Sequence, residues 1–229
     1  MRQLILNIRP HIESRLETFV VGDNADLLAA LAQQLVSRDG SVLYLWGEAG
    51  SGRTHLLRAA VAAAHKRPAQ YIDPSAWQTP SAADGALIAI DNAGRTDAEA
   101  QGDLFRALIR AREQQASLIV AGDTPAHRLV IRDDVSSRLA QGLTFEIKPL
   151  NDAHKATTLM QHAQNRGMTV GPEIVNYLLR HGRRDLPWLM AVLDALDEAS
   201  LSLSRPVTLP LLRDILKDTS PGENHDATP

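Results

Sequence analysis

The chain has 229 residues, of which 44% are hydrophobic and only 4% aromatic, so we expect one or two domains with mainly aliphatic cores. The absence of cysteine excludes disulfides and thiolate metal sites and is typical of a reducing cytoplasm. The net charge of −3 argues against strong direct DNA binding, and no apolar run is long enough for a membrane span, so we expect a cytoplasmic protein without a membrane partner.

Strands and helices are predicted to alternate as far as Pro149. After a short arm (1–18), the spacing of the leucines predicts an amphipathic helix over 26–36. The predicted strands are 41–46, 70–73, 86–91, 116–123 and 143–147. The predicted helices between them are 54–64, 97–114 and one that closes with 136–140. This alternation indicates an α/β domain over 19–149, with a doubly wound parallel sheet, helices on both faces and ligands at the carboxyl ends of the strands.

Beyond Pro149 the pattern is helical only. The predicted helices are 152–166, 172–181, 186–203 and 209–217. They indicate a small all-helical domain over 150–218, which is too small to be very stable without docking. The polar residues 219–229 are expected to be a disordered tail.

A glycine-rich loop between a predicted strand and a predicted helix is the most specific motif. It fits G-x-x-x-x-G-K-[ST] at every fixed position except one, where arginine replaces lysine. Its residues are Gly47, Glu48, Ala49, Gly50, Ser51, Gly52, Arg53 and Thr54, followed by His55. Backbone amides of such a loop curl around phosphate at a helix N-terminus, and the threonine is placed to hold Mg²⁺. Because arginine holds phosphate but does not replace lysine in catalysis, we expect nucleotide binding with weak hydrolysis.

Acidic residues follow the two apolar strands that come later in the chain. Asp91 has the character of a Walker B acid that positions Mg²⁺. Asn92 stands where an ATPase usually has a second carboxylate, and it cannot accept a proton. The alternative is that it forms a strand-capping turn, and the two explanations are compatible. Asp123 could reach toward the γ-phosphate or the attacking water, or it is an ordinary turn residue before Pro125.

Two arginines are candidates for contacts with nucleotide. Arg138 could reach the nucleotide of a neighbouring subunit and stabilise transition-state charge there, or it could pair with Asp133 or Asp134. Arg184, at the start of the third helix after Pro149, could bridge the helical domain to the phosphates. Its neighbour Arg183 competes for the same role.

In this order the motifs resemble the AAA+ ATPases, most closely the DnaA branch, over about residues 19–217. Residues 19–24, including Val21 and Asn24, look like the entry to the adenine pocket. The loop matches Walker A, and residues 87–92 match Walker B. Residues 121–123 look like sensor 1, 136–138 like the arginine-finger box, and 184–186 like sensor 2, in which Arg184 contacts nucleotide.

The outline is similar to the Hda family of DnaA-homologous regulatory inactivators, which also carry arginine in Walker A. Neither an N-terminal self-association domain nor the DNA-binding helix-turn-helix domain of the initiator is expected. The resemblance implies binding of ADP, or ATP, with Mg²⁺. It also implies two partners, the initiator DnaA, whose ATP hydrolysis is stimulated, and the DNA-loaded sliding clamp (the DNA polymerase III beta subunit).

The clamp is bound in this family through a hexapeptide similar to Q-L-x-L-x-L. Residues 3–8 offer such a hexapeptide, in which Asn7 departs from the usual proline or aromatic residue. Gln3 would hydrogen-bond at the rim of a pocket. Leu4, Leu6 and Ile8 would anchor in a groove. An N-terminal edge strand would have the same pattern.

Other classes of protein remain open. A helicase or transposition loader of the DnaC or IstB type would turn over ATP by itself, which Arg53 and Asn92 argue against. A truncated initiator acting as a DNA-binding module would show salt-dependent duplex binding. A pseudo-ATPase scaffold that uses only the clamp peptide is a weaker form of the regulatory hypothesis. The sequence leaves open whether the protein is a monomer or a homodimer.

Overall fold

The computed structural model describes residues 14–81, 83–183, 185–203 and 205–219. The described residues form two compact units, one over 14–150 and the other over 151–219. Among the described helices, none has both the length and the apolar character needed to cross a membrane.

The first unit contains a parallel sheet with helices on both faces, which confirms the predicted fold class. Its strands are β1 (Val42–Trp46), β2 (Ala69–Ile72), β3 (Leu87–Ile90), β4 (Ser117–Gly122) and β5 (Leu143–Glu146). Its α-helices are α1 (Ala25–Val36), α2 (Arg53–Ala63), α3 (Ala98–Arg110) and α4 (Asp133–Gln141). The strand order is β2-β3-β4-β1-β5, so the carboxyl ends of β1, β3 and β4 meet at one edge.

Strand residues alternate between two apolar cores, one on each face of the sheet. On one face, Tyr44 and Val120 pack with Leu104 of α3 and Leu139 of α4. On the other face, Leu45 lies in a core that receives leucines of α1 and α2. Burial on both faces explains why the central strands are apolar throughout.

A polar network closes the opposite edge of the sheet, where the amino ends of the strands lie. Arg67 donates hydrogen bonds to the carbonyl oxygens of Ser37, Gly85 and Ala86 at 2.6–2.7 Å and to the Ser117 hydroxyl at 3.0 Å. Burial lowers the pKa of its guanidinium, with Arg38 adding to the effect. Because Ser37 is the C-cap of α1, Arg67 ties the end of that helix to the sheet.

The second unit is a bundle of helices around its own core. The helices are α5 (Asp152–Asn165), α6 (Pro172–His181), α7 (Leu186–Leu203) and α8 (Leu209–Thr219). Fully buried leucines from all four helices form this core: Leu159, Leu178, Leu193 and Leu212. The Asn151 side chain accepts a hydrogen bond from the His154 amide and so caps the first helix.

Candidate nucleotide site

The glycine-rich loop runs from β1 into α2 at the carboxyl edge of the sheet. Gly50 and Gly52 have φ angles of +81° and +102°, in the left-handed region that only glycine adopts without strain. A Cβ atom on Gly52 would lie 2.8 Å from the Phe19 ring, so this position requires glycine for space as well. A Cβ atom on Gly47 would lie 2.8 Å from the Ser51 hydroxyl. The glycines therefore permit a compact loop ahead of a helix N-terminus.

Two buried polar atoms of this loop have no hydrogen-bond partner among the described residues, namely Oγ of Ser51 and Nη1 of Arg53. An orphaned buried donor is costly, and native proteins rarely keep one without a function. Both groups are able to donate to phosphate oxygens. Ser51 lies in the loop and Arg53 is the first residue of α2, so both are at the helix N-terminus. The residues present therefore fit a bound phosphate group.

Asp91 lies at the carboxyl end of β3, is fully buried, and accepts three hydrogen bonds. Its Oδ2 accepts from the Thr54 hydroxyl at 2.6 Å and from the Tyr71 hydroxyl at 3.0 Å, and its Oδ1 accepts from the Asn92 amide at 2.8 Å. Burial, followed by the charge of Asp91, raises the pKa of Tyr71 to about 12. Carboxylate and hydroxyl oxygens are ligands that Mg²⁺ prefers, so Thr54 and Asp91 fit that ion.

Asn92 has φ +45° and ψ +47°, a left-handed conformation that asparagine tolerates better than most residues. It begins the short 3₁₀ turn Ala93–Arg95, which agrees with the turn interpretation. Asp123 is exposed one residue after β4. Burial, followed by the charge of Asp123, raises the pKa of Tyr44, whereas Arg53 opposes that rise. Asp123 and Arg53 therefore both lie within electrostatic reach of Tyr44.

The segment before α1 packs beside the loop. His55 Nε2 lies 3.0 Å from the Arg15 carbonyl oxygen and 3.3 Å from the Thr18 hydroxyl, so its side chain faces this segment. Asn24 is buried, and its amide both donates to and accepts from the Lys148 backbone, at 2.9 and 2.8 Å. Val21 is 44% exposed. Asn24 therefore has a structural function in addition to its predicted place near adenine.

Arg138 is exposed on α4, and it has no ion pair among the described residues. Asp134, one of the two partners considered for it, pairs instead with Arg132 through two hydrogen bonds of 3.1 and 2.6 Å. The Arg138 guanidinium carbon lies 5.4 Å from the centre of the Phe105 ring. The geometry therefore leaves the charge of Arg138 available to an external anion.

Several predicted site residues lie outside the described residues. They are Gln3, Leu4, Leu6 and Ile8 of the clamp-binding hexapeptide and Arg184 of sensor 2. Arg183 is described, and its side chain is 72% exposed and paired with Asp185 at 3.2 Å.

Sequence reasoning missed Tyr71, Tyr44 and Phe105. Tyr71 and Tyr44 are strand residues that reach the site only through contacts with neighbouring strands or loops. The sequence offered one indication, a tyrosine hydroxyl within an otherwise apolar strand. This indication is weak, because buried tyrosines commonly find a hydrogen-bond partner wherever they lie.

Comparisons with known proteins agree with this architecture. Residues 152–216 match the protein family described as "Hda, lid domain". Domain III of the replication initiation protein DnaA from Thermotoga maritima superposes with a TM-score of 0.72 at 17% identity, over 92% of this chain and 98% of that one. AMPPCP-bound DnaA from Aquifex aeolicus gives a TM-score of 0.69 at 18% identity, over 86% of this chain and 68% of that one. A RuvB variant from Thermotoga maritima gives a TM-score of 0.67 at 13% identity, over 93% of this chain and 73% of that one.

At these identities the solved structures establish the fold alone. The sheet order and the arrangement of strands and helices are those of DnaA domain III, so the chain has that fold. The chain carries an Hda lid domain over residues 152–216, and together with the DnaA-like fold this confirms the resemblance to Hda stated from the sequence.

Proposed function

We propose that this protein is a cytoplasmic regulator of replication initiation that binds ADP and stimulates hydrolysis of the ATP held by the initiator DnaA. The observation that carries the proposal is the contrast between two sites. The glycine-rich loop is built to hold phosphate but lacks a general base beside Asp91, whereas Arg138 is a charged, exposed side chain without a carboxylate partner among the described residues. Such a chain is suited to act on the nucleotide of another protein.

The first site explains why hydrolysis in cis is expected to be weak. The position after Asp91 holds Asn92, which cannot accept a proton from an attacking water. Arg53 replaces the lysine that follows the phosphate through the reaction. In this proposal the nucleotide, ADP or ATP, acts as a structural ligand of the loop. Mg²⁺, if bound through Thr54 and Asp91, would supply charge neutralisation at the phosphates. Arg184 would sense the nucleotide from the lid.

The second site supports action in trans. An arginine supplied by one protein to the nucleotide of another stabilises the charge that develops during phosphoryl transfer. Arg138 is exposed, and it follows the buried helix residue Val135 by three positions, so α4 anchors it firmly. The proposed partner in this reaction is DnaA. The lid-family match supports this choice of partner.

The third part of the proposal is attachment to the DNA-loaded sliding clamp through residues 3–8. It rests on the hexapeptide alone, with Gln3 as the polar contact and Leu4, Leu6 and Ile8 as apolar anchors. Tethering to loaded clamp raises the effective concentration of the protein near its target, so stimulation should depend on the clamp.

The test uses DnaA preloaded with labelled ATP, this protein, and clamp either loaded on DNA or omitted. We expect hydrolysis to accelerate only when loaded clamp is present, and a variant with Gln3, Leu4 and Leu6 replaced by alanine to lose the acceleration. If hydrolysis accelerates equally without clamp, the clamp has no part in the function. If ADP-bound protein does not accelerate hydrolysis at all, the proposed function is rejected. Steady ATP turnover by the isolated protein would favour a loader ATPase.

The loop itself is tested by Gly52→Ala. The left-handed φ and the 2.8 Å approach to Phe19 should force the loop out of shape, so we expect ADP affinity to fall at least tenfold while the fold is retained. Gly167→Ala is the matched control, because it has a similar φ of +73° but nothing within 4 Å of the added Cβ. The control should lose about 1 kcal/mol of stability and bind ADP normally. Isothermal titration calorimetry measures the ADP affinity of both variants. Equal affinities for the two variants would contradict the proposed phosphate site.

A further inference from the structure

The ring of Phe105 on α3 is contacted by two arginines, one at the N-cap of α4 and one within that helix. The guanidinium carbons of Arg132 and Arg138 are each 5.4 Å from the centre of its ring, within the range of a cation–π interaction. The ring is half-buried and packs against the core beneath α3 and α4, so its position is fixed by the fold. The two arginines are therefore held by one rigid surface.

The two arginines differ in how their charge is balanced. Arg132 forms the two hydrogen bonds to Asp134 and is neutralised by that carboxylate. Its backbone amide also donates to the Gln101 side chain at 3.0 Å, which joins the start of α4 to α3. Arg138 has no carboxylate within ion-pair distance among the described residues. Among the described residues, Phe105 is the one aromatic residue with which Arg138 forms a cation–π contact.

An aromatic face is well suited to hold an arginine that must later bind phosphate. A carboxylate would fix the guanidinium but would also compete with the phosphate for its N–H donors. A ring orients the planar guanidinium, leaves its edge donors free, and keeps its full charge. Arg138 can then bind phosphate through its free edge while it stays on the ring, and no ion pair has to be broken.

We propose that Phe105 is a positioning residue that holds Arg138 in the orientation required to reach the nucleotide of the partner protein. The inference rests on the proposed function, because Arg138 must act in trans for its orientation to matter. Phe105 contacts neither nucleotide nor partner in this scheme, and acts only through Arg138.

The test compares Phe105→Leu, which keeps an apolar side chain but removes the ring, with Phe105→Tyr, which keeps the ring. Hydrolysis of DnaA-bound ATP is measured as a function of the concentration of this protein, with loaded clamp present. We expect Phe105→Leu to lower the maximal rate about two- to fivefold, the factor that corresponds to one exposed cation–π contact, without changing the concentration for half-maximal effect. Phe105→Tyr should restore the maximal rate.

Tyr177→Leu is the matched control, because Arg213 lies 5.1 Å from that ring in the other unit. It should leave the maximal rate unchanged. A second readout is independent of activity: the side-chain NMR signals of Arg138 should show a ring-current shift that is present with Phe105 or Tyr and lost with Leu.

The outcomes separate the two proposals. An inactive Arg138→Ala together with a fully active Phe105→Leu would overturn the positioning inference alone. Equal stimulation by Arg138→Ala and the unaltered protein would overturn the trans action of Arg138 and this inference with it. An unshifted Arg138 signal in the unaltered protein would overturn the inference whatever the rates.

Discussion

Replacing Arg138 by alanine is expected to lower the stimulated hydrolysis of DnaA-bound ATP by about 10³-fold or more, the loss seen where an arginine supplied in trans is removed. The side chain is exposed and its guanidinium contributes no ion pair within the described chain, so its loss should leave the fold intact. The measurement is single-turnover hydrolysis of labelled ATP on DnaA at saturating amounts of the variant.

Two controls make this result interpretable. Arg128→Ala removes another exposed arginine of the α/β unit, and it should retain stimulation within a factor of about two, as expected for a surface substitution. ADP affinity and thermal midpoint should be the same for Arg138→Ala and the unaltered protein. A parallel loss of ADP binding in Arg138→Ala would show that this arginine is structural.

Replacing Arg67 by methionine is expected to lower the free energy of unfolding by about 3 kcal/mol. Methionine keeps an unbranched apolar stem but removes the donors that satisfy three carbonyl oxygens and the buried Ser117. Each hydrogen bond from a charged donor contributes about 1.5–3 kcal/mol, and water recovers part of this loss because Arg67 is only half-buried. Arg67→Lys should recover little, because an ammonium group cannot reproduce the planar fork.

The matched control is Arg38→Met. Arg38 is exposed and donates one described hydrogen bond, to the Lys66 carbonyl oxygen at 3.2 Å, so its loss should cost no more than about 0.5 kcal/mol. Urea unfolding monitored by circular dichroism gives both values, with the slope of the transition unchanged if the denatured state is unaffected. Equal costs for the two variants would mean that the network around Arg67 does not hold α1 to the sheet.

The parts of the site that sequence reasoning predicted are local in the chain. The glycine-rich loop and its flanking strand and helix are one continuous stretch, and its glycines are required by φ angles that the spacing of the motif already implies. Asp91 and Asp123 were found because each follows an apolar strand. Parallel strands bring their carboxyl ends to one edge, so the sequence order was sufficient.

The parts that were missed depend on pairing between distant elements. Tyr71 reaches Asp91 because β2 lies beside β3, and Arg67 reaches Ser117 across 50 residues. The start of one helix was also left open. Only its closing residues, 136–140, were predicted, and α4 begins at Asp133, with two aspartates in its first turn.

The ion pair considered for Arg138 illustrates the same limit. Spacing along a helix favours contacts three or four residues apart, which made Asp134 a reasonable partner. The structure pairs Asp134 with Arg132 instead, two residues before it and at the helix N-cap, where backbone geometry differs from that of the helix. Side-chain partners at helix ends are therefore set by the cap and by the packing of neighbouring helices.

The double hydrogen bond between Asn24 and the Lys148 backbone joins residues that are 124 positions apart. It places the start of α1 beside the end of β5, so the first helix of the α/β unit begins close to where the last strand of the unit ends. Such an arrangement lends itself to circular permutation, because a short linker could join the two ends while new termini open at an exposed turn. The order of the elements along the chain is thus less constrained by the fold than their order in the sheet.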